Sequence, residues 1–381
     1  MVQERQDVLT LVGVGDISPI RDDPPSIFRH CGDVFRTADI VFGQMESPLS
    51  DRGTPMFIPG APKRSPIKNV SALTAEGAGF DVMSFACNHA MDYGWEAFFD
   101  TLEVLKKHNI AVVGAGKNIE EARKPAILER KGTKVGFLAY ISIMPNGLVA
   151  EEGIPGCVPL RASHFYQQWD FQPGTPPLII TKLFPEDKEA MEEDIARLKP
   201  QVDVLVVSMH CGLHMVPTTL AMYQKEAAYA AIDAGADLVL QHHAHILKGI
   251  EVYKGKIIFY GINHFAYEFS SHPGQPKARD RTYGNIRQFY GIKPIPGWEK
   301  FRFHPDARKT VIAKTYIQNR SIRKVTYIPA YINPDIEPEV VTRKEARAQE
   351  VFDYIKQISE SQDLEVKFSW DGDEVLISGQ P

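Results

Sequence analysis

Residues 235–251 read GADLVLQHHAHILKGIE, an apolar run that is followed at once by three histidines. The run at 238–240 is short and apolar, which is typical of a buried strand. His242, His243 and His245 come directly after it. Since the carboxyl ends of strands form the ligand-binding edge of an α/β sheet, this stretch predicts both a layered fold and a site at its edge.

The same alternation of short apolar runs and helical spacing recurs along the chain. Short runs bounded by turn residues predict buried strands, and longer stretches with apolar residues on one face predict helices. Strands that alternate with helices indicate an α/β layered core. The predicted strands are 8–14, 40–42, 82–86, 135–141, 204–207, 238–240 and 257–260, and the predicted helices are 26–36, 95–108, 188–198 and 220–234.

Two segments have the composition of connections. Residues 163–177 are polar and aromatic with three prolines, which predicts a long surface loop. Residues 270–305 are rich in Gly, Pro, Arg and Tyr and predict a connecting excursion. After it we predict paired strands at 310–318 and 322–332, a helix at 343–358 and two short closing strands. The predicted domains are therefore a core at 1–270 and a C-terminal elaboration packed on it at 271–381.

The composition is that of an ordinary soluble globular protein. Of the 381 residues, 44% are hydrophobic and 24% are charged, which excludes disordered and fibrous classes. A net charge of -5 lacks the positive excess that a sequence-independent nucleic-acid binder needs, so we expect no nucleic-acid partner. The four cysteines show no CxxC spacing, which argues against a disulfide framework and a structural zinc.

The N-terminal sequence, MVQERQDVLTLVGVGD, shows none of the features of a signal peptide. It has no basic n-region, no long apolar segment and no small-residue cleavage site. No apolar run approaches the roughly 18 residues that a membrane helix needs. We therefore expect a cytoplasmic protein with no membrane partner.

Side chains that can bind metals follow most of the predicted strands. Because the carboxyl ends of neighbouring strands meet at one edge of a sheet, strands far apart in sequence can deliver these groups to one rim. The residues are Asp16, Glu46, Asn88, His89, His210, His242, His243, His245, Asn263 and His264.

These residues offer oxygen and nitrogen ligands without a thiolate cluster. Such a set suits Mn, Zn, Fe or Ni better than Ca or a structural zinc, so we expect one or two divalent transition metal ions, with Mn, Zn or Fe favoured. Glu46 could bridge two ions through its two oxygens, and His243 and His245 alternate along an extended segment, so they could face different ions. A bound metal lowers the pKa of water from 15.7 to about 7, so hydroxide is available near neutral pH. A metal site here therefore predicts hydrolysis of a phosphoester, amide or related bond.

Five motifs resemble those of the bacterial CapA family, which is linked to capsule and poly-γ-glutamate synthesis. The family is itself similar to calcineurin-like metallophosphoesterases. The resemblance implies a metallophosphoesterase-like core, a four-layer αββα sandwich with a C-terminal strand and helix elaboration, and usually a dinuclear metal centre. It spans about residues 8–270 and continues weakly to about 360. The motifs are GDI at 15–17, MESPL at 45–49, NHAMDYG at 88–94, HCG at 210–212 and the stretch at 235–251.

The resemblance also implies roles for individual residues. His89 resembles the imidazole that lies beside the metals and helps the leaving group, and a bond from Asp92 would orient it, so these two form the predicted catalytic pair. Ser18 stands where the metallophosphoesterase pattern has a histidine, which weakens the first metal site. His214 and His264 replace other residues of the family pattern and are candidate additional ligands or substrate contacts. The residues that resemble metal ligands are Asp16, Glu46, Asn88, His210, His243 and His245.

Lys63 and Arg64 lie in a proline-rich loop between two ligand-bearing strands. A charge pair of this kind indicates either a solvated surface or a clamp for a carboxylate or phosphate near the metals. We therefore expect a small-molecule or short-polymer anionic substrate.

Three functions are compatible with these residues. The first is a metal-dependent hydrolase in which metal-bound hydroxide attacks a phosphoester or amide bond. The second is a non-catalytic or polymer-binding component of capsule or poly-γ-glutamate synthesis. The third, a nucleotide-processing phosphodiesterase, rests on superfamily analogy alone.

Overall fold

Strands and helices alternate through the first two thirds of the chain, as the sequence predicts. The computed structural model describes residues 8–56, 62–171, 173–269, 295–298, 300–301 and 303–379. The helices are α1 Gly32–Arg36, α2 Gly94–Lys107, α3 Ile119–Ala122, α4 Pro185–Leu198, α5 Met222–Ala234 and α6 Ala346–Glu360, with 3-10 turns at Pro24–Phe28, Ile67–Ala72, Lys199–Gln201 and Pro305–Arg308.

The strands belong to two large sheets and two small ones. In chain order they are β1 Leu9–Ser18, β2 Ile40–Met45, β3 Val82–Ser84, β4 Ala111–Val113, β5 Ala115–Gly116, β6 Ala126–Arg130, β7 Thr133–Ile141, β8 Gly156–Cys157, β9 Ala162–Gln167, β10 Leu178–Leu183, β11 Val204–His210, β12 Leu238–His242, β13 Ile250–Tyr253, β14 Lys256–Phe259, β15 His264–Tyr267, β16 Lys309–Gln318, β17 Ser321–Ile332, β18 Pro338–Val340, β19 Lys367–Asp371 and β20 Glu374–Ser378.

Ten of the described strands form the larger sheet, in the order β19-β20-β17-β16-β1-β2-β3-β4, with β15 beside β1 and β18 beside β17. The strands from β1 to β4 run parallel, and β1 also pairs in parallel with β15. The first half of β1 pairs antiparallel with β16. The C-terminal strands therefore continue the sheet of the core, and the division at residue 270 stays a prediction.

The second large sheet has the order β13-β14-β12-β11-β7-β6. Its four central strands, β14, β12, β11 and β7, run parallel to one another. Every residue of β11 is buried, which is the pattern of a parallel strand covered on both faces. This explains why the strands of this sheet could be recognised as continuous apolar runs.

The two large sheets pack face to face. The Phe42 and Phe137 rings, one from each sheet, stack with centroids 5.6 Å apart. In β11 the side chain of Val206 belongs to the core between the sheets, whereas Leu205 and Val207 join α4 and α5 in a separate outer core. The rings of Phe85 and Phe98 stack at 5.5 Å, which packs α2 against the other sheet. Helices thus cover both outer faces, and the predicted αββα sandwich is confirmed.

The predicted helix at 26–36 is wrong in its middle. The chain forms a 3-10 turn at Pro24–Phe28, leaves helical geometry at Cys31 and begins α1 at Gly32. The break brings Phe28 and Phe35 together, with ring centroids 5.6 Å apart, and both rings then contact Phe80. Burial of this aromatic cluster outweighs the local helical spacing.

The predicted surface loop at 163–177 is wrong only in its first part, because residues 163–167 belong to strand β9, whereas residues 168–171 and 173–177 connect β9 to β10. Strands β9 and β10 pair antiparallel, with Phe165 opposite Ile180 and Tyr166 opposite Ile179. The three prolines fall in the connection between the strands, where a missing backbone N–H does not interrupt the pairing. The aromatic and β-branched residues of β9 and β10 favour the paired strands, and the prolines mark the connection between them.

The C-terminal predictions are confirmed within a few residues. Strands β16 and β17 pair antiparallel, α6 follows, and β19 and β20 form the closing pair. Most of the predicted excursion at 270–305 lies outside the described residues. None of the helices in the described ranges is long and apolar enough to cross a membrane.

Candidate metal centre

Two sets of three side chains, among the residues that the structure describes, are arranged to hold one ion each. In each set the potential ligand atoms lie within 4.8 Å of one another, and every member is buried. The two sets have Glu46 in common, so its carboxylate lies between two candidate ion positions. The sets are Glu46, His210 and His243, and Asp16, Glu46 and His245.

Both large sheets contribute to this cluster. Asp16 and Glu46 come from β1 and from the residue after β2, whereas His210 ends β11 and His243 directly follows β12. The carboxyl ends of parallel strands in the two packed sheets therefore meet at one rim, as expected. The sequence placed Asp16 after a strand that ends at residue 14, but β1 continues to Ser18 and Asp16 lies inside it.

The glycine of the GDI motif is required by a close backbone approach. A Cβ built on Gly15 would lie 1.9 Å from the carbonyl oxygen of Asn263. The next residue, Asp16, donates its backbone N–H to the same oxygen at 3.2 Å. Gly15 thus lets β1 approach the residue before β15 closely enough to hold Asp16 at the rim.

The histidines after β12 adopt a conformation that the sequence did not predict. His243 and His245 both lie in the left-handed region, with φ of 77° and 48°. The segment is therefore a tight turn, and the expectation of an extended segment is wrong. The two imidazoles still belong to different sets. Unusual backbone geometry of this kind often marks functional sites.

In the set that contains Asp16, His245 lies between the two carboxylates. Its Nδ1 is 3.2 Å from Asp16 Oδ2, and its Nε2 is 3.4 Å from Glu46 Oε1. Burial raises the pKa of Asp16 to about 8 and holds the pKa of His245 well below its usual value. In the absence of a cation, burial therefore favours the neutral forms of both Asp16 and His245.

In the other set, His210 is the central residue. Its Nε2 lies 3.5 Å from Glu46 Oε2, 3.2 Å from His243 Nδ1 and 2.8 Å from Asn88 Oδ1. Burial and the neighbouring imidazoles hold the pKa of His210 well below its usual value, so the ring is neutral and offers a lone pair. The amide oxygen of Asn88 lies where it could complete this set.

The unpartnered polar atoms show that these residues suit divalent ions. Both oxygens of Asp16 and both oxygens of Glu46 are buried without a hydrogen-bond partner. Buried carboxylates without partners are costly, and they are usually paired or bind a metal. Deprotonated carboxylates and neutral imidazoles are the forms that a transition metal binds. The donor set therefore fits the one or two divalent ions that the sequence predicts.

Asp92 holds two neighbours of the cluster at once. Its Oδ2 lies 2.6 Å from Nδ1 of His89 and accepts the backbone N–H of Lys63 at 2.6 Å. Burial and the charge of Lys63 lower the pKa of His89, whereas Asp92 acts in the opposite direction. The expected contact between His89 and Asp92 is present, and its link to the Lys63 loop was not predicted.

Lys63 and Arg64, although adjacent, point to different surroundings. Lys63 Nζ lies 4.4 Å from the centre of the Tyr267 ring. Burial lowers the pKa of Lys63, while the charges of Glu46 and Asp92 act in the opposite direction. The Arg64 guanidinium instead stacks over Tyr93 at 4.3 Å. The structure thus brings Lys63, and not Arg64, next to the candidate ligands.

His214 and His264 lie beside the two sets without belonging to either. The ring of His214 is 5.1 Å from that of His245, and the ring of His264 is 5.7 Å from it on another side. Burial lowers the pKa of His214 to about 3 and holds that of His264 well below its usual value. His242 Nδ1 is 3.9 Å from Asp16 Oδ1, which places it behind the carboxylate.

Two supporting features of the site were missed. Buried Tyr267 and Phe303 pack against the His245 ring, with centroids 5.0 and 4.8 Å away. Phe303 comes from a segment remote in sequence, and no local signal marks it. The buried Lys248 donates to the carbonyl oxygens of Val216 and Thr219, which ties down the loop that carries His214. Its position in the stretch at 235–251 was the available signal.

The sequence matches one known protein family over most of its length. The family described as "Bacterial capsule synthesis protein PGA_cap" matches residues 7–267, which is well over half of the chain. The chain belongs to this family. The resemblance of its motifs to the CapA family is therefore confirmed.

Two curated relatives of this PGA_cap protein carry related names. "PGA biosynthesis protein CapA" of Bacillus subtilis (strain 168) is 29% identical over 273 residues, which cover 69% of this chain and 64% of the relative. "Capsule biosynthesis protein CapA" of Bacillus anthracis is 27% identical over 272 residues, which cover 68% of this chain and 60% of the relative. The chain thus matches somewhat less than two thirds of the length of each relative.

Among solved structures, calcineurin-like phosphoesterase YfkN from Bacillus subtilis aligns with 93% of this PGA_cap chain and 99% of its own. The TM-score is 0.41 and the sequence identity is 12%.

Proposed function

We propose that this PGA_cap protein is a divalent-metal-dependent hydrolase that cleaves a phosphoester or amide bond in an anionic substrate. The arrangement of the two sets around Glu46 supports this proposal most directly. Asp16 and His245 would hold one ion with Glu46, and His210, His243 and Asn88 would hold the other. When bound, such ions would polarise the scissile group and make a water acidic enough to attack near neutral pH.

His89 is the residue best placed to handle a proton beside these ligands. Its Nδ1 lies 2.6 Å from the Asp92 carboxylate, which fixes the proton on that nitrogen and leaves Nε2 for the substrate. The adjacent Asn88 contacts His210, so the loop is anchored to the cluster one residue before His89. In the proposal His89 carries a second proton on Nε2, and the charged ring is stabilised and oriented by the Asp92 carboxylate at Nδ1. This Nε2 proton is transferred to the leaving group.

Lys63 would supply the positive charge that selects an anionic substrate. Its ammonium group is held over Tyr267, and its backbone N–H is fixed by Asp92. A half-buried cation beside candidate metal ligands favours a substrate that brings a carboxylate or phosphate with it. This is the chemistry shared by phosphodiesters and by γ-glutamyl chains, so both remain substrate classes of the proposal.

The experiment is a comparison of two substrate panels with the full chain loaded with Mn, Zn or Fe. One panel contains phosphodiesters, including nucleotide diesters, and the other contains γ-glutamyl and simple amides. Turnover of either panel that disappears in a His243→Ala variant supports the proposal and identifies the bond. No turnover of either panel by a metal-loaded protein would contradict it.

The alternative is a non-catalytic or polymer-binding component of capsule or poly-γ-glutamate synthesis. It is favoured by the names of the two relatives, both of which refer to biosynthesis. Binding of poly-γ-glutamate by the metal-loaded protein, without turnover of either panel, would support this function over the hydrolase.

A further inference from the structure

The β9–β10 hairpin (residues 162–183) stands apart from the two large sheets. It is a separate two-stranded sheet, and of the strands that the structure describes none pairs with the outer edge of β9. The hairpin is attached through β10, because Thr181 Oγ1 accepts the backbone N–H of Tyr223 and Glu226 accepts that of Leu183. The connection to α5 therefore holds one side of the hairpin and leaves the β9 side open.

The hairpin exposes an unusual number of large apolar side chains. Phe165 and Tyr166 on β9 are 56% and 67% exposed, and Ile179 on β10 is 54% exposed. At the tip, Trp169 and Phe171 are 67% and 88% exposed. The Trp169 indole N–H donates to the carbonyl oxygen of Pro176 at 3.0 Å, so the tip is held together while the ring stays in solvent.

The open edge lacks the devices that normally prevent strand pairing. Natural edge strands are protected by lysines, other charges, prolines or bulges. Strand β9 reads ASHFYQ and contains no Lys, Arg, Asp, Glu or Pro. Between residues 162 and 183 the charged residues are Asp170 and Lys182, and neither is on β9. The edge is therefore a suitable template for another strand.

We propose that the β9 edge is the interface between two copies of this chain, which pair antiparallel through β9 about a twofold axis. A twofold interface brings the same surface of both copies together, so this surface must be self-complementary. The uncharged β9 satisfies this requirement, because no like charges meet when two copies align. Edge pairing also extends both faces of the hairpin, so Phe165 on one face and Tyr166 on the other both meet apolar neighbours.

The area available is compatible with a stable dimer. An aromatic side chain buries about 150–250 Å² when fully covered. The four rings are 56–88% exposed, so they offer roughly 550 Å² per copy. A standard interface buries about 800 Å² per partner. Backbone atoms of β9 and the exposed side chains of Leu178, Ile179 and Met222 can provide the remainder. Neither the metal site nor its chemistry enters this inference.

The first test is the oligomeric state of the full chain by sedimentation equilibrium. We expect a monomer–dimer equilibrium in the wild type with Kd of about 10 µM or tighter. The double variant Phe165→Lys/Tyr166→Lys should weaken Kd by at least about tenfold, because like charges then face each other across the twofold axis. The matched control is Ile127→Lys, since Ile127 is exposed on β6, the edge strand of another sheet, and this variant should dimerise normally.

The second test does not depend on folding of the charged variant. The native cysteines are buried, so a single cysteine placed on β9 can report on pairing. Under mild oxidation, at least one of Ser163→Cys, Phe165→Cys and Gln167→Cys should form a covalent dimer, whereas Ile127→Cys should not. A wild type that stays monomeric at about 100 µM, or dimers that persist in the double variant, would overturn the proposal. So would binding of the monomer through Phe165 to phosphatidylcholine or phosphatidylglycerol vesicles.

Discussion

Glu46 is the residue on which both candidate ion positions depend. Its two carboxylate oxygens face different histidines, Oε2 toward His210 and Oε1 toward His245. Glu46→Gln keeps the size of the side chain but removes the charge that offsets two cations. We expect this variant to lose both ions, whereas His243→Ala should lose the ion of the His210 set and the activity. Metal content by mass spectrometry after gel filtration measures this, and two ions retained by Glu46→Gln would contradict the bridging role.

His89 should affect turnover without affecting metal content. A positioned acid contributes about 10²–10⁴-fold to rate, so His89→Asn should lower kcat by roughly that factor. The metal content should remain close to that of the wild type, because His89 is not in either ligand set. Loss of metal in this variant would show that His89 is a ligand. An unchanged kcat would assign leaving-group protonation elsewhere, with His214 and His264 as the next candidates.

At the scale of elements, Glu374 ties β20 to its neighbours. Its carboxylate accepts hydrogen bonds from Lys314 Nζ at 2.8 Å and from the hydroxyls of Tyr316 and Thr326 at 2.7 Å. Burial raises the pKa of Glu374, but these hydrogen bonds and the charge of Lys314 outweigh this effect and hold the pKa below its ordinary value. The ionised carboxylate thus stabilises the fold above the pKa of the unfolded chain, and this contribution is lost as pH falls through the folded pKa.

We therefore expect Glu374→Gln to lower the free energy of unfolding at pH 7 by about 1–3 kcal/mol, the range for hydrogen bonds to a charged group. The difference from wild type should shrink as the pH falls below about 4. Urea unfolding at several pH values measures it. Glu360→Gln is the control, since Glu360 is 67% exposed and 3.9 Å from Lys356, and such surface pairs contribute about 0–1 kcal/mol. A difference in unfolding free energy that increases as the pH falls would contradict this prediction.

The elements that the sequence predicted well are those decided by local pattern. Continuous apolar runs gave the strands of the parallel sheet, and α2, α4 and α5 begin and end within a few residues of their predicted positions. The incorrect predictions concern segments whose structure depends on contacts between residues that are separated in the sequence. The Phe28 and Phe35 rings contact Phe80 and interrupt the predicted helix, and pairing with β10 places the first part of the predicted loop in strand β9.

The same distinction applies to the site. The convergence of the ligand-type residues could be predicted from the sequence, because strand ends meet at one rim of the sheet. The left-handed turn at His243 and His245 could not, since it depends on how the chain leaves β12. The separate surroundings of Lys63 and Arg64 could not be predicted either. Adjacent residues in a loop show no periodicity from which the directions of their side chains could be inferred.

At the scale of the whole molecule, the candidate metal centre lies where the two large sheets meet. Ligands from β1 and β2 face ligands from β11 and β12, so ions bound there would link both halves of the sandwich. A ligand bound only by the folded state stabilises it by about 2.7 kcal/mol at a free concentration of 100 Kd. We expect chelation to lower the Tm of the wild type by several degrees and to leave Glu46→Gln unchanged. Differential scanning calorimetry measures both, and an unchanged wild-type Tm would oppose the proposed link.

The two partners of β1 also determine when this strand can finish folding. Asp16 aligns with His264, whereas Leu9 aligns with Ile317. The first half of β1 can therefore pair with β16 only after a much later part of the chain has been synthesised. A ribosome adds about 5–20 residues per second, so roughly 3–10 s separate synthesis of β15 from completion of β16. During that interval the nascent chain presents an open apolar edge beside its nearly assembled centre. Co-translational aggregation, and the need for a chaperone to prevent it, should therefore be concentrated in this window.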